Sequence, residues 1–509
     1  MRQILLLLVL FTLVISIPVQ GFPAEYANSP DQEMNEESRD EATTLDIVVP
    51  EDFLFGDEKL EVTQLDITAE GPEPAFNEFN LDDFIGVNID MTVHGDLWLF
   101  TLWNDNPRFI DDYSGFTEVV ARVGADFAYG SNFKASFRIV GTDVHNNPEE
   151  RTMARRTDWG TIIDLANISF SGDMGSIRPT MTIGWQELSF GDGLLIYDGF
   201  SEKRAVWSSP IRSFPAVRWT LEIGESYTVD IFSAMVHENF LNYETYMGDP
   251  TNPQRVEGGG QVSGVNVNIL SDLLGEVDAG IFYKDDDAQK DNPGRLDPNS
   301  NTYAVSLRDE VFINPITITG EIVKQWGRTK VVENALDTDR HSRSALGGQI
   351  SAEYAFTKED DSPYVKARWA QFQGDRHASS TVEAFDPFFS GSRRWGEWYL
   401  GDMTSFFYPN TNKRTIALEF GMTPIDRTQL TLILYDISLD EKYNYSGSPQ
   451  WSNEANLIFE YMPCDWGFVG ILLGVAKPEG AAKKFHEIST GERANETQTE
   501  VALWAGFSF

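Results

Sequence analysis

Charged side chains recur an even number of residues apart inside stretches that are otherwise apolar. Val119, Ala121, Val123, Ala125, Phe127 and Tyr129 share a stretch with Glu118, Arg122 and Asp126. Just beyond, Lys134, Ser136 and Arg138 are interleaved with Phe133, Phe137 and Ile139. Successive side chains on an extended strand point to opposite faces, so each stretch has one greasy face and one charged face. The same phase adds Arg218, Arg308, Lys366 and Arg368 to the cations. It adds Asp90, Asp96, Glu222, Asp230, Asp278, Glu310, Glu321, Glu353, Glu419, Glu460 and Glu500 to Glu118 and Asp126, so seven cations share a surface with thirteen carboxylates. Such a surface either pairs its charges and fills an interior, or lines a water-filled passage. Asp309 and Lys324 fall out of phase, each near a strand end.

A second group sits outside any strand pattern, between Gln373 and Arg414. It holds Arg393, Arg394, Trp395, Glu397, Trp398, Tyr399 and Asp402. Aromatic faces stack on sugar rings while guanidinium and carboxylate groups bond hydroxyls, which makes this the candidate constriction or sugar-binding loop; the alternative is that the aromatics only fold the loop. Catalytic patterns are missing. There is no G-x-S-x-G elbow, and the six histidines are scattered without metal-ligand spacing. Glu397 and Asp402 are the one pair with glycosidase chemistry, and two carboxylates in a polar loop are far commoner than an active site. Asp285-Asp286-Asp287 reads as solvated rather than calcium-binding. No enzyme, metal or cofactor is expected.

Eighteen strand-like stretches separated by turn chemistry fall between Val87 and Phe509, among them Ile162–Phe170, Thr180–Phe190, Val277–Tyr283 and Gln349–Phe356. Their connections alternate short and long, from Gly130–Asn132 or Ile313–Pro315 to Asp143–Thr161 and Gln373–Arg414. An even strand number with tight turns on one side and long loops on the other is the pattern of a transmembrane barrel; a soluble sandwich has no reason to segregate its loops so. The expected fold is therefore all-β, an antiparallel transmembrane barrel of about eighteen strands spanning residues 85–509. At that width porins leave an aqueous channel. The last stretch, Glu500 to Phe509, alternates Val501, Leu503, Ala505, Phe507 and Phe509 with mainly small or polar residues and ends on an aromatic. It resembles the closing strand of bacterial outer-membrane barrels, the segment that barrel-assembly machinery engages.

The remaining segments fit an exported chain. A basic start, an apolar run from Ile4 to Ile17 and small residues at Gly21 and Ala24 read as a secretory signal peptide over residues 1–24. Residues 25–84 read as an acidic, largely disordered periplasmic leader, with eighteen carboxylates against Arg39 and Lys59 from Asn28 onward. A net charge of −40 argues against nucleic acid. Cys464 is the only cysteine, so no internal disulfide forms.

Two stretches are more specific than a generic barrel. Thr182-Ile183-Gly184-Trp185-Gln186-Glu187-Leu188-Ser189-Phe190-Gly191-Asp192-Gly193 resembles the G-R-Q-E-L-S-[YF]-G-D-G pattern of the alginate export family of eighteen-stranded outer-membrane barrels. Ala384-Phe385-Asp386-Pro387-Phe388-Phe389-Ser390-Gly391, with Trp395 to Asp402 after it, is similar to that family's later aromatic and glycine segment. The resemblance implies a passive channel in the bacterial outer membrane, surrounded by lipid and lipopolysaccharide, passing a polar solute or saccharide; a structural or adhesive surface barrel with a closed lumen is the alternative. Trp185 stands where the family has arginine, and the acidic lumen argues against a polyanionic cargo such as alginate.

Overall fold

The computed structural model describes residues 89–106, 113–145, 160–196, 213–237, 240–241, 255–256, 258–271, 275–288, 300–329, 341–357, 362–376, 381–386, 388, 411–442, 447–490 and 495–509. The signal peptide and acidic leader expected from the sequence lie outside these residues.

Eighteen strands close on themselves. They are β1 (Asp90–Asp105), β2 (Tyr113–Tyr129), β3 (Phe133–His145), β4 (Gly160–Ser171), β5 (Ile177–Glu187) and β6 (Ser213–Ile223). Next come β7 (Tyr227–His237), β8 (Gly258–Ser271), β9 (Gly275–Ala288), β10 (Ser300–Ile313), β11 (Ile316–Thr329) and β12 (His341–Ala355). The circuit ends with β13 (Tyr364–Phe372), β14 (Lys413–Met422), β15 (Thr428–Ser438), β16 (Gln450–Cys464), β17 (Gly467–Pro478) and β18 (Gln498–Ser508). Each pairs antiparallel with its sequence neighbours, and β1 pairs with β18 from Asp96↔Ser508 to Asp105↔Thr499. Gly95 and Phe509 exchange backbone hydrogen bonds of 3.0 Å in each direction, which completes the seam. A closed ladder leaves no unpaired edge, the condition for a sheet to cross a bilayer.

Period-two alternation in the sequence becomes two chemically different walls. Along β14 the residues are buried and exposed strictly in turn, with Thr415, Ala417 and Glu419 inside and Ile416, Leu418 and Phe420 outside. The outer wall is apolar all round, with Leu97, Val123, Val217, Leu307, Ile350 and Leu473 all more than a third exposed. In water such a surface would be untenable; in lipid it is the required one. The chain is a membrane-spanning barrel. The strand ends that the long connections join lie at one mouth, and by the usual asymmetry of these barrels that mouth faces outward.

Several strands run further toward the long-loop mouth than alternation indicated. β9 continues to Ala288 and β12 begins at His341, because glycines and charged residues there weaken the hydrophobic signal without breaking the ladder. β5 ends earlier than expected, at Glu187, so that Leu188–Phe190 leave the wall. The β3–β4 register shifts between Arg138 and Ile139, and Asp164 is the extra residue. This bulge turns Asp164, nearly fully buried, into the lumen.

Gly184 in β5 has φ +120, and a Cβ there would lie 2.2 Å from the Ala166 carbonyl oxygen on β4. We expect Gly184→Ala to cost about 1–3 kcal/mol from backbone strain before that clash is counted. Urea unfolding of the refolded protein in detergent micelles should show a lowered midpoint at unchanged slope.

Candidate functional site: charged lumen and inserted segments

Two connections fold inward at the long-loop mouth. After β5, Leu188, Phe190, Leu194, Leu195 and Ile196 are buried against inward residues of the wall, among them Phe214, Phe232, Val262 and Phe282. Phe190 stacks on Phe232 with ring centroids 4.9 Å apart. After β13, Phe385 and Phe388 join the same cluster, Phe385 lying 5.3 Å from Phe372. On the opposite side a helix, α1 (Gly480–Thr490), follows β17, and its Ala481 and Ala482 are buried with Tyr435, Ile437 and Trp451. Apolar residues thus fill part of the upper lumen of a membrane barrel, where alternation alone predicts polar ones.

The connections after β5 and β13 each present an aspartate to the wall, held by one cation in the first and by two in the second. At the first, Gly191 (φ +57) and Gly193 (φ +77) form a tight turn that presents Asp192 to Arg308 of β10. The Asp192 carboxylate accepts a 2.6 Å bond from Arg308 Nε and a further bond from Gln349. Its backbone N–H donates to Glu321 at 2.7 Å, and Glu321 also accepts from Ser306 at 2.6 Å. A Cβ on Gly191 would sit 2.9 Å from the Glu321 carboxylate, so only glycine allows this approach. Arg308 also reaches Glu310 at 2.5 Å, Glu276 at 3.6 Å and Asp278 at 4.0 Å. Four carboxylates share one guanidinium. Gly191, Asp192, Glu276, Asp278 and Arg308 line a cavity of about 300 Å³.

At the second anchor, Asp386 sits between Lys284 of β9 (3.2 Å) and Arg343 of β12 (3.5 Å), with all three side chains at most 12% exposed. Gln325 of β11 donates to the Asp386 backbone carbonyl and accepts from its N–H at 2.9 Å. Lys284 also lies 5.5 Å over the Phe388 ring. Burial opposes ionisation of Asp386, yet the Lys284 ammonium and Arg343 guanidinium hold its carboxyl below the ordinary carboxylate range. A depressed folded-state value means this stabilisation is complete above the unfolded value near pH 4 and is lost as pH falls through the folded one. Insertion of this segment, read as protection of residues 381–386 from hydrogen exchange, is therefore expected to be constant between pH 5 and 8 and to loosen only in stronger acid.

Most of the remaining lumen charges pair with other groups of the inner wall. Arg122 pairs with Asp96 (3.3 Å), and Arg138 with Asp164 and Glu187 (2.8 Å each). Arg218 pairs with Asp230 (2.7 Å), Lys366 with Glu353 (3.2 Å), and Arg368 with Glu419, which also accepts from Tyr364 at 2.7 Å. Glu118 is buried in the inner wall, Asp126 lies 3.4 Å from His94, and Lys134 is exposed near the β2–β3 turn. Arg393, Arg394, Trp395, Glu397, Trp398, Tyr399 and Asp402 lie outside the described residues. Sequence phase missed Asp164 because of the bulge, and missed Lys284 and Arg343 because their strand ends read as loop. Asp192 and Asp386 stood inside the two family-like stretches, and nothing in alternation singled them out. Among the described residues no group of three or more His, Cys, Asp or Glu side chains is arranged to hold a metal ion.

No protein-family model matches the sequence, and no curated protein matches it. The fold is similar to the crystal structure of Acinetobacter baumannii OccAB1, with a TM-score of 0.50 and 8% identity over 82% of this chain and 96% of that one. Crystal structures of Pseudomonas aeruginosa OprD (TM-score 0.49, 10% identity, 82% and 95% covered) and of the outer membrane protein opdK from Pseudomonas aeruginosa (0.49, 10%, 82% and 99%) are also similar. At such identities the likeness is one of fold: an eighteen-stranded outer-membrane porin barrel. The narrower resemblance to the alginate export family finds no match in these comparisons.

Proposed function

We propose that this barrel is a passive outer-membrane channel for small polar solutes, with a lumen that favours cations and neutral saccharides over anions. The observation that carries this reading is the Arg308 cluster, where four carboxylates face one guanidinium around a polar cavity beneath an inserted segment. A lumen built only for structural closure has no use for surplus negative charge there, since packing apolar residues is equally stabilising. The inserted segments set the width, and gradients supply the driving force. The two family-like stretches supply the anchors Asp192 and Asp386, which supports an alginate-export-like architecture; the surplus of carboxylates opposes a polyanionic cargo. A closed structural barrel is the second reading, favoured by the apolar packing of Phe190, Phe385 and α1 inside the mouth. The apolar exterior is surrounded by outer-membrane lipid and lipopolysaccharide, and the strand ending in Phe509 is the part that barrel-assembly machinery engages.

Swelling of proteoliposomes in isosmotic solutes separates these readings. A channel of this kind admits a pentose and a short diamine faster than a dicarboxylate of equal size. Equal or faster entry of the dicarboxylate contradicts the charge assignment, and no swelling in any solute supports the closed barrel.

A further inference from the structure

A charged side chain well inside a strand points outward. Lys324 lies on β11 five residues before the strand ends, in phase with Ile322 and Trp326, and is exposed on the apolar outer wall. A lysine facing lipid costs about 2–4 kcal/mol at the midplane and close to nothing at the interface, so its depth and surroundings decide what it does. Its ammonium bends toward the long-loop mouth and donates to Ser344 of β12 at 2.9 Å. One row nearer that mouth an aromatic band crosses three strands: Tyr283, Tyr303 and Trp326, with centroids 4.9 Å and 6.0 Å apart. Such bands mark the level of the headgroups. Arg328 is exposed on the same outward face one further row up, paired in register with Ser342 and Asn301. Two cations therefore bracket Trp326 at the outer-leaflet boundary, with the Ser344 hydroxyl accepting from Lys324 and the Ser342 hydroxyl sharing a 3.0 Å bond with Thr381.

We propose that Lys324 and Arg328, with Ser342 and Ser344, form a binding site for a phosphoryl group of lipid A in the outer leaflet. The chemistry is that of a tetrahedral dianion, which takes charge-assisted bonds from both cations and neutral ones from the hydroxyls. Lipid A is the occupant because the site opens onto the outer leaflet, where the glycolipid's phosphates sit at the level of the aromatic band while its acyl chains cover Leu346 and Ile350 below. Asp285, facing outward beyond Asn301 on β9, bounds the site on that side. The inference is independent of whether the lumen conducts.

The test is thermal unfolding of the refolded full chain in detergent with added bisphosphorylated lipid A, dephosphorylated lipid A or phosphatidylglycerol. Bisphosphorylated lipid A should raise the melting midpoint, and dephosphorylated lipid A should not. K324Q/R328Q should lose that rise, while Lys477→Gln, an outward cation on β17 far around the barrel, should keep it. An equal rise with dephosphorylated lipid A, or an undiminished rise in K324Q/R328Q, overturns the proposal. An equal rise with phosphatidylglycerol overturns lipid A as the occupant. If K324Q/R328Q refolds poorly, native mass spectrometry of the wild type decides instead: co-purified lipid A displaced by inorganic phosphate supports the site, and its absence overturns it.

Discussion

Asp386→Asn should release the second inserted segment from the wall. The substitution takes the Asp386 carboxylate away from the buried Lys284 and Arg343, and breaking a buried pair by removing one partner typically costs about 3–5 kcal/mol. Because the carboxylate belongs to a connection and the cations to the wall, that cost falls on the inserted state and not on the barrel ladder. At about 1.4 kcal/mol per tenfold, the inserted population drops by more than a hundredfold relative to the released one. Single-channel recording should show larger unit conductance and more frequent closures as the freed segment moves, and urea unfolding of the barrel should change little. K284M/R343M, which removes the cations instead and retains Asp386, should release the segment too. A variant with unchanged conductance means that Asp386 does not control the width.

Arg308→Met has the second large effect and a different character. Arg308 is a wall residue, 11% exposed, and holds Asp192, Glu276, Asp278 and Glu310 together. Without it those carboxylates repel one another in a partly dry cluster, and about 3–5 kcal/mol of stability is lost. The urea midpoint should fall accordingly, and reversal potentials should move further toward the cation limit. Adding Asp192→Asn to Arg308→Met should recover part of the stability, because two sites in one network do not add.

Much of this was legible in the sequence, for a definite reason. A barrel wall is read one strand at a time, and alternation such as Thr415 to Met422 states both faces of the strand without reference to its neighbours. The seam was legible for the same reason at Val501 to Phe507. What alternation cannot state is anything that depends on a second segment. Asp164 reaches the lumen because β4 carries one residue more than β3 opposes there. Phe214, Phe282 and Phe372 look like lipid-facing residues placed in the wrong phase until the inserted segments that cover them are known. Lys284 and Arg343 take their meaning from Asp386, a hundred and two residues from the first of them. The Gly191-Asp192-Gly193 turn was visible as a turn, but that it folds inward rests on Arg308 and Glu321, whose partners lie across the lumen.

An acid-rich, loop-narrowed lumen should conduct and prefer cations. Its most direct test is the reversal potential of the refolded protein in a planar bilayer across a potassium chloride gradient. Stable openings are expected, with a reversal potential of cation sign that moves toward zero when Glu276 and Glu310 are both changed to glutamine. A reversal potential of anion sign would contradict the lumen assignment, and a silent bilayer would contradict the channel itself.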